Sequence, residues 1–364
     1  MRPSVTRQHK PWQSRQGFPW EGVQYFGGSS FMTDGGALLD QWRLAYEVWG
    51  PATGSPLVIF HALTGDSHVA SHGPGGLAGW WEQVVGPGAG VDTNRYPVLC
   101  FNVLGGAMGS TGAWSSDAQG KPWGSRFPEL TLFDMARSAH ALMSAWHSGP
   151  VRLVGGSMGG MLAYAYAALY PEHVQAVMAI GAPIRHEPWA IAYHTVGRCA
   201  IFQDPWFKGG DYYNGPFPEN GLALARMADM LSYQHPRSMS KKFGRRKRTH
   251  QDFEVASYLQ YQGEKLVGRY DANTYITLTR AMDEFGLEKA QMEQLQKIPV
   301  WMVGMDSDLL YLPDEIEAHY HLLQASGVPV RLDWLEGPWG HDTFLVDQEQ
   351  IGQLVARFLR ETDT

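Results

Sequence analysis

The chain alternates short, mainly apolar runs with longer stretches in which apolar residues return every three or four positions. "PLVIFHALTG" (56–65) and "YPVLCFNVLGG" (96–106) are apolar runs that end in glycine, the form of buried parallel strands whose far ends open into loops. "VRLVGG", "VQAVMAIGA", "IPVWMVGM" and "PVRLDWLEG" read as further strands. Between them, "LFDMARSAHALMSAW" sets Leu132, Met135, Ala136, Ala139, Leu142 and Met143 on one helical face. "MLAYAYAALY" reads as a helix stopped by Pro171, and "PDEIEAHYHLLQASG" and "DQEQIGQLVARFL" as later helices. Nearer the start, "SSFMT" and "WRLAYEVWG" flank Asp34-Gly35-Gly36. Asp-Gly supplies the positive φ of a hairpin turn, so an edge hairpin is expected there. The whole alternation predicts an α/β fold, a mostly parallel sheet with helices on both faces.

The rhythm stops after Pro183. From about Arg185 to Lys297 no strand-like run appears, and "GLALARMADMLSYQHP" and "ANTYITLTRAMDEFGL" carry helical spacing. The expected organisation is one discontinuous core domain, 1–184 and 298–364, carrying a helical lid, 185–297.

Composition narrows the classes. A chain of 364 residues with 44% hydrophobic content can bury a large core. Its formal net charge of -7 offers no global basic field for nucleic acid or an anionic membrane. The local exception is "KKFGRRKR", Lys241 to Arg248, read as a solvated loop or an anion-steering patch. Cys100 and Cys199 stand far apart without a CxxC pair, which fits a reducing compartment. The first twenty residues are polar and proline-bearing, with no signal-peptide core. A cytoplasmic protein is expected.

Chemistry concentrates at Ser157. Gly155-Gly156-Ser157-Met158-Gly159 matches G-x-S-x-G, in which a strained strand-to-helix turn lifts a serine hydroxyl above the sheet. Glycine-rich chains produce this pattern by chance, so context decides. Here the apolar strand ends at Val154, and the helical spacing Met158, Met161, Leu162, Ala165, Leu169 starts at once. A serine nucleophile needs a base oriented by an acid, in the chain order Ser, Asp or Glu, His. "MVGMDSDLL" offers Asp306 and Asp308 just past a strand, with Asp308 preferred, although either could instead cap the following helix. "EGPWGHDTF" offers His341 in the next strand's glycine-rich loop. Oxyanion donors should come from the N–H after the nucleophile, Met158, and from the loop "FHALTG", where Leu63 is the candidate.

Taken together, "HALTGDSHVA", "CFNVLGGAMGSTG", "GKPWGSRFPELTLFDM", "LVGGSMGGM", "GLALARMADMLSY", "SYLQYQGEKLVGRYDANTYITLTRAMD", "SDLLY" and "GHDTFLV" resemble the homoserine O-acetyltransferase family, a branch of the α/β-hydrolase superfamily. The likeness covers nearly the whole chain. It implies Ser157 as nucleophile, Asp308 rather than Asp306 as the acid, and His341 as base. It further implies that Arg226 and Asp342 hold the carboxylate and amine of an amino-acid acceptor, with Tyr233 nearby, and that acetyl-CoA is co-substrate with no permanently bound cofactor. A homodimer paired through the lid helices is likewise implied. The clamp is chemically apt, since a guanidinium binds a carboxylate in a bidentate fork and an aspartate matches an ammonium.

Three places depart from the family pattern: Gly112-Ala113-Trp114 where Gly-Pro and a smaller residue are usual, Tyr270 for Phe, and Gly286 for Asp. Trp114 bears on which acyl group is carried, acetyl or succinyl, and serine competes with homoserine as acceptor among close relatives. A hydrolase using the same serine machinery is the alternative from another class. His68 and His72 have a metal-like spacing without H-E-x-x-H, so they are read as structural and no metal is expected.

Overall fold

The computed structural model describes residues 18–363, so most of the polar N-terminal stretch lies outside the described residues. The expected edge hairpin forms from β1 (Gln24–Met32) and β2 (Leu38–Trp49), antiparallel with Met32 opposite Leu38. Then come β3 (Leu57–Phe60), a two-residue pair β4 (Val85–Gly86) and β5 (Val91–Asp92), and β6 (Val98–Phe101). The chain continues through α1 (Leu132–Trp146), β7 (Val151–Gly156), α2 (Met158–Leu169) and β8 (Val174–Ile180). Pro171 follows the end of α2, as its missing N–H demands.

Between β8 and the next strand the described chain is helical: α3 (Pro188–Phe202), α4 (Glu219–Tyr233), α5 (Pro236–Phe243), α6 (Glu254–Val267), α7 (Ala272–Asp283) and α8 (Lys289–Gln294). The sheet resumes with β9 (Val300–Met305), α9 (Pro313–Ala325), β10 (Val330–Leu335), α10 (Thr343–Val346) and α11 (Gln348–Glu361).

Eight strands make the main sheet in the order β1-β2-β6-β3-β7-β8-β9-β10, parallel from β6 to β10 and antiparallel at the hairpin edge. Its central strands are buried on both faces because successive side chains point opposite ways. Val58, Phe60, Leu99, Phe101 and Leu153 pack with α1 and α2, whereas Leu57, Ile59, Val98, Cys100 and Val154 join Phe358 and Leu359 of α11 on the other side. The six α1 residues assigned to one face are all buried. Helix α1 opens with a reciprocal capping box between Thr131 and Asp134. Since β3, β7, β9 and β10 run the same way, the loops carrying Leu63, Ser157, Asp308 and His341 all leave one edge of the sheet, where open α/β sheets bind ligands. The small β4–β5 pair has no counterpart in the sequence pattern, two residues being too few to show a period.

Candidate active site

Ser157 joins β7 to α2 with φ 55° and ψ -124°, a conformation L residues avoid. Such strain costs about 1–3 kcal/mol and persists only where packing enforces it. Here the glycines enforce it. A Cβ on Gly159 would lie 2.1 Å from the Phe60 carbonyl oxygen, and one on Gly155 would lie 2.2 Å from the Gly159 backbone. The Ser157 N–H donates to the Ile180 carbonyl at 2.8 Å, fixing the turn against the end of β8.

Asp308 and His341 meet from consecutive strand ends. Asp308 Oδ2 lies 2.7 Å from His341 Nδ1, and Asp308 Oδ1 accepts the Leu310 and Tyr311 N–H groups at 2.8 and 3.1 Å. Both side chains are buried. The carboxylate has no freedom to turn, so it holds the Nδ1 proton in place and leaves Nε2 as the basic nitrogen. That Nε2 is buried and makes no hydrogen bond among the described residues. His341 and Ser157 share surroundings: a methyl on Gly181, next to Ile180, would sit 3.4 Å from His341 Cε1, and the Phe344 ring abuts both Gly156 and the imidazole. The Tyr311 hydroxyl faces the Ser157 side chain, while its ring packs edge-on against His341, centroids 5.1 Å apart.

Asp306, the other acid considered, is elsewhere: its carboxylate is exposed and accepts the Gly337 N–H at 3.0 Å. Neither aspartate caps α9, whose N-cap is Leu312. Ser307, between them, donates to the Gly337 carbonyl at 2.5 Å and accepts the Gly340 N–H at 3.0 Å, bracing the histidine loop.

Leu63 is buried in the turn after β3, and its N–H finds no acceptor among the described residues. Met158 begins α2, so its N–H has no intrahelical partner either. The Ala62 carbonyl, in the same peptide group as the Leu63 N–H, accepts from Gly65 at 2.8 Å and lies 2.7 Å from His61 Nδ1. Tyr270 donates to the Leu63 carbonyl and Arg269 to that of Thr64. The helical segment thereby grips the turn, and the Tyr270 hydroxyl is the atom by which this chain departs from Phe.

The three residues expected on the acceptor side also converge. Arg226 and Tyr233 lie two turns apart on α4, the guanidinium 5.3 Å from the tyrosine ring centre, and that ring is 5.6 Å from the His341 imidazole. Asp342 follows His341 and accepts from Gln234 at 2.5 Å. Burial pushes its carboxyl above the usual range, only partly offset by Arg226, His341 and Gln234. Gly340 is pressed against the Tyr233 carbonyl and His235 N–H, leaving no room for a Cβ and fixing the histidine loop to the end of α4.

Sequence reading missed Asp229, buried one turn beyond Arg226, and Tyr311. Spacing from Arg226 on a helix whose inner face carries Tyr233 was the available signal for the first. It also missed what His68 and His72 share. Both meet Glu47 Oε2, at 2.8 and 2.9 Å, while Trp20 and Ser67 donate to Oε1. Burial opposes ionisation of Glu47, but donation from His68, His72, Ser67 and Trp20 outweighs it and holds the carboxyl at about 2. These donor types can hold a divalent cation, yet ring nitrogens, indole and hydroxyl already occupy both oxygens, which makes the cluster a brace under β2.

Among the described residues no helix is long and apolar enough to cross a membrane. The alpha/beta hydrolase fold family matches residues 55–347. The homoserine O-acetyltransferase of Symbiobacterium thermophilum is 42% identical over 353 residues, covering 91% of this chain and 92% of the relative. That of Mesorhizobium japonicum is 39% identical over 349 residues, 90% of this chain and 89% of its own length. Among solved structures, homoserine O-acetyltransferase from Bacillus anthracis superposes with a TM-score of 0.85 at 22% identity, over 94% of this chain and 98% of that one. Esterase E22 matches equally, TM-score 0.85 at 22% identity over 93% and 99%, so this likeness speaks for the fold alone. The chain belongs to the α/β-hydrolase fold family and, within it, to the homoserine O-acetyltransferases, a family of acyltransferases.

Proposed function

We propose that the protein transfers an acetyl group from acetyl-CoA to the hydroxyl of L-homoserine by a ping-pong route through acyl-Ser157, giving O-acetyl-L-homoserine, a step of methionine biosynthesis. The observation that carries this reading is the buried Asp308–His341 pair, its Nε2 unpartnered, beside a serine held in a strained turn.

His341 Nε2 takes the Ser157 proton as Oγ attacks the thioester carbonyl carbon. The oxygen that gains charge is received by the N–H groups of Leu63 and Met158, each worth about 3 kcal/mol in such a site. The tetrahedral intermediate collapses, the C–S bond breaks, and the imidazolium returns the proton to the leaving thiolate. Homoserine then binds, its carboxylate on Arg226 and its ammonium matched by Asp342, with Tyr233 closing the pocket. His341 takes the acceptor's hydroxyl proton, the oxygen attacks the acyl carbon, and the C–Oγ bond breaks as Ser157 recovers a proton. The helical segment 185–297 serves as a lid that keeps out water, the competing acceptor.

Exposed Leu224 and Leu231 on α4 and Tyr261 on α6 support pairing of two copies through that lid. Light scattering that finds only monomer would remove this part. The same machinery without an acceptor is an esterase, a reading favoured only by the fold shared with esterase E22. Supplying acetyl- or succinyl-CoA with homoserine or serine and weighing the products decides among these: the proposal expects acetylhomoserine, and free acetate undiminished by homoserine would replace it with the hydrolase.

A further inference from the structure

A buried aspartate and a half-buried arginine beside the catalytic centre each keep one buried atom without a partner. Arg226 Nη1 is buried and makes no hydrogen bond among the described residues, and neither does Asp229 Oδ2. They sit one turn apart on α4 without forming an ion pair with each other. Leaving a buried atom of a charged group without a hydrogen bond is unfavourable, so a cation and an anion left half-satisfied side by side describe the complement of a zwitterion.

Tyr233 links this pair to the catalytic histidine. Asp229 precedes Tyr233 by four residues, so both lie on the face of α4 that meets His341. The other Asp229 oxygen accepts from Tyr275 on α7 at 2.9 Å, which fixes the carboxylate and leaves Oδ2 free. Asp229 is only 1% exposed, and its charge is felt by both Tyr233, against the imidazole, and Tyr270, whose hydroxyl holds Leu63. Burial raises its carboxyl to about 6, against the pull of Arg226 and Tyr275, as for an acid awaiting a cation. Asp342, by contrast, already receives Gln234 on Oδ2.

We infer that Asp229 is a specificity-determining residue whose free Oδ2 joins Asp342 in holding the α-ammonium of an amino-acid acceptor while Arg226 Nη1 donates to its carboxylate. This deepens the acyl-acceptor reading and rests on it for the identity of the ligand. It narrows the acceptor class to free α-amino acids, because an acid lacking the amine would leave Oδ2 unpartnered, and a site built around a polar contact rejects the analogue that cannot make it.

The test is calorimetric titration, without any acyl donor, of homoserine, serine and 4-hydroxybutyrate into the wild-type protein and Asp229→Asn. The isosteric change keeps an oxygen for Tyr275, and Asp229→Ser serves if the amide variant melts early. The inference expects wild type to bind homoserine at least tenfold more tightly than 4-hydroxybutyrate, and the variant to lose most of that preference through homoserine alone. Homoserine affinity within twofold of wild type in the variant, or no amino-acid binding by wild type, would overturn it. Amino-acid binding that depends on Asp229 in a protein that transfers no acyl group would sustain the inference and sink the proposed reaction instead.

Discussion

Asp308→Asn probes the contact that orients the His341 ring. The amide oxygen of asparagine would stay with the Leu310 and Tyr311 N–H groups, which hold Oδ1 at 2.8 and 3.1 Å. That turns the NH2 group towards His341 Nδ1, 2.7 Å from Oδ2 in the native protein. A donor facing Nδ1 requires the ring proton on Nε2, the atom that must accept from Ser157, so the imidazole is held in the wrong tautomer. Flipping the amide restores the tautomer but puts a donor against two backbone donors, forfeiting two hydrogen bonds worth about 1 kcal/mol each and burying the clash. Neither arrangement retains the negative charge that stabilises the imidazolium. Loss of orientation and charge together in such a triad lowers kcat by about 10⁴, or ~5 kcal/mol at 1.36 kcal/mol per tenfold. The assay is release of coenzyme A thiol from acetyl-CoA in the presence of homoserine, with melting temperature as the check on folding. Asp306→Asn is the internal control and should stay within about twofold of wild type, since that carboxylate serves Gly337. A folded Asp308→Asn protein that loses less than tenfold, or an equal loss from Asp306→Asn, would refute the assignment.

Other consequences follow from the same contacts. Gly159→Ala drives a Cβ to 2.1 Å from the Phe60 carbonyl oxygen, a backbone atom that cannot swing aside, and should cost more than about 3 kcal/mol in urea unfolding; an unchanged midpoint would contradict the packing. Glu47 ionises at about 2 in the folded chain against an ordinary 4.5. Its contribution, ~3 kcal/mol, is therefore complete above pH 4.5 and is lost as pH falls towards 2. Glu47→Gln should be destabilised by a few kcal/mol at pH 7 and much less at pH 3, and an equal deficit at both would remove the ion-pair account. In the basic run, Arg246 already pairs with Glu254 at 2.8 Å and Lys247 donates to the His250 carbonyl at 3.1 Å, leaving Arg245 and Arg248 as the arginines to reverse. Reversal should raise the KM for acetyl-CoA several-fold at low salt and less at high salt; an unchanged KM would dismiss steering.

The core of the fold was legible because parallel strands buried on both faces are written as short apolar runs, and each of "PLVIF", "VRLVGG" and "IPVWMVGM" became a central strand. The serine turn was legible because its geometry admits only glycine at fixed offsets, which G-x-S-x-G records directly. The choice between Asp306 and Asp308 was harder. Both follow the same strand, and only the path of the loop, with Ser307 pinned to Gly337 and Gly340, sends one carboxylate outward and the other to His341. Contacts between distant segments left no local mark at all. Glu47 with His68 and His72, Tyr270 with Leu63, and Asp229 with Tyr275 depend on how the helical segment and the sheet edge come together. A lone polar residue on a helix reads as solvent-facing until the partner that buries it is known.

The most direct trial of the central claim is the mass of the intact protein after brief exposure to acetyl-CoA alone, followed by peptide mapping. The account predicts a gain of one acetyl group on Ser157, absent in Ser157→Ala and discharged on adding homoserine with formation of its O-acetyl ester. Turnover without any acetyl on Ser157, or a modified Ser157 that homoserine leaves untouched, would contradict it.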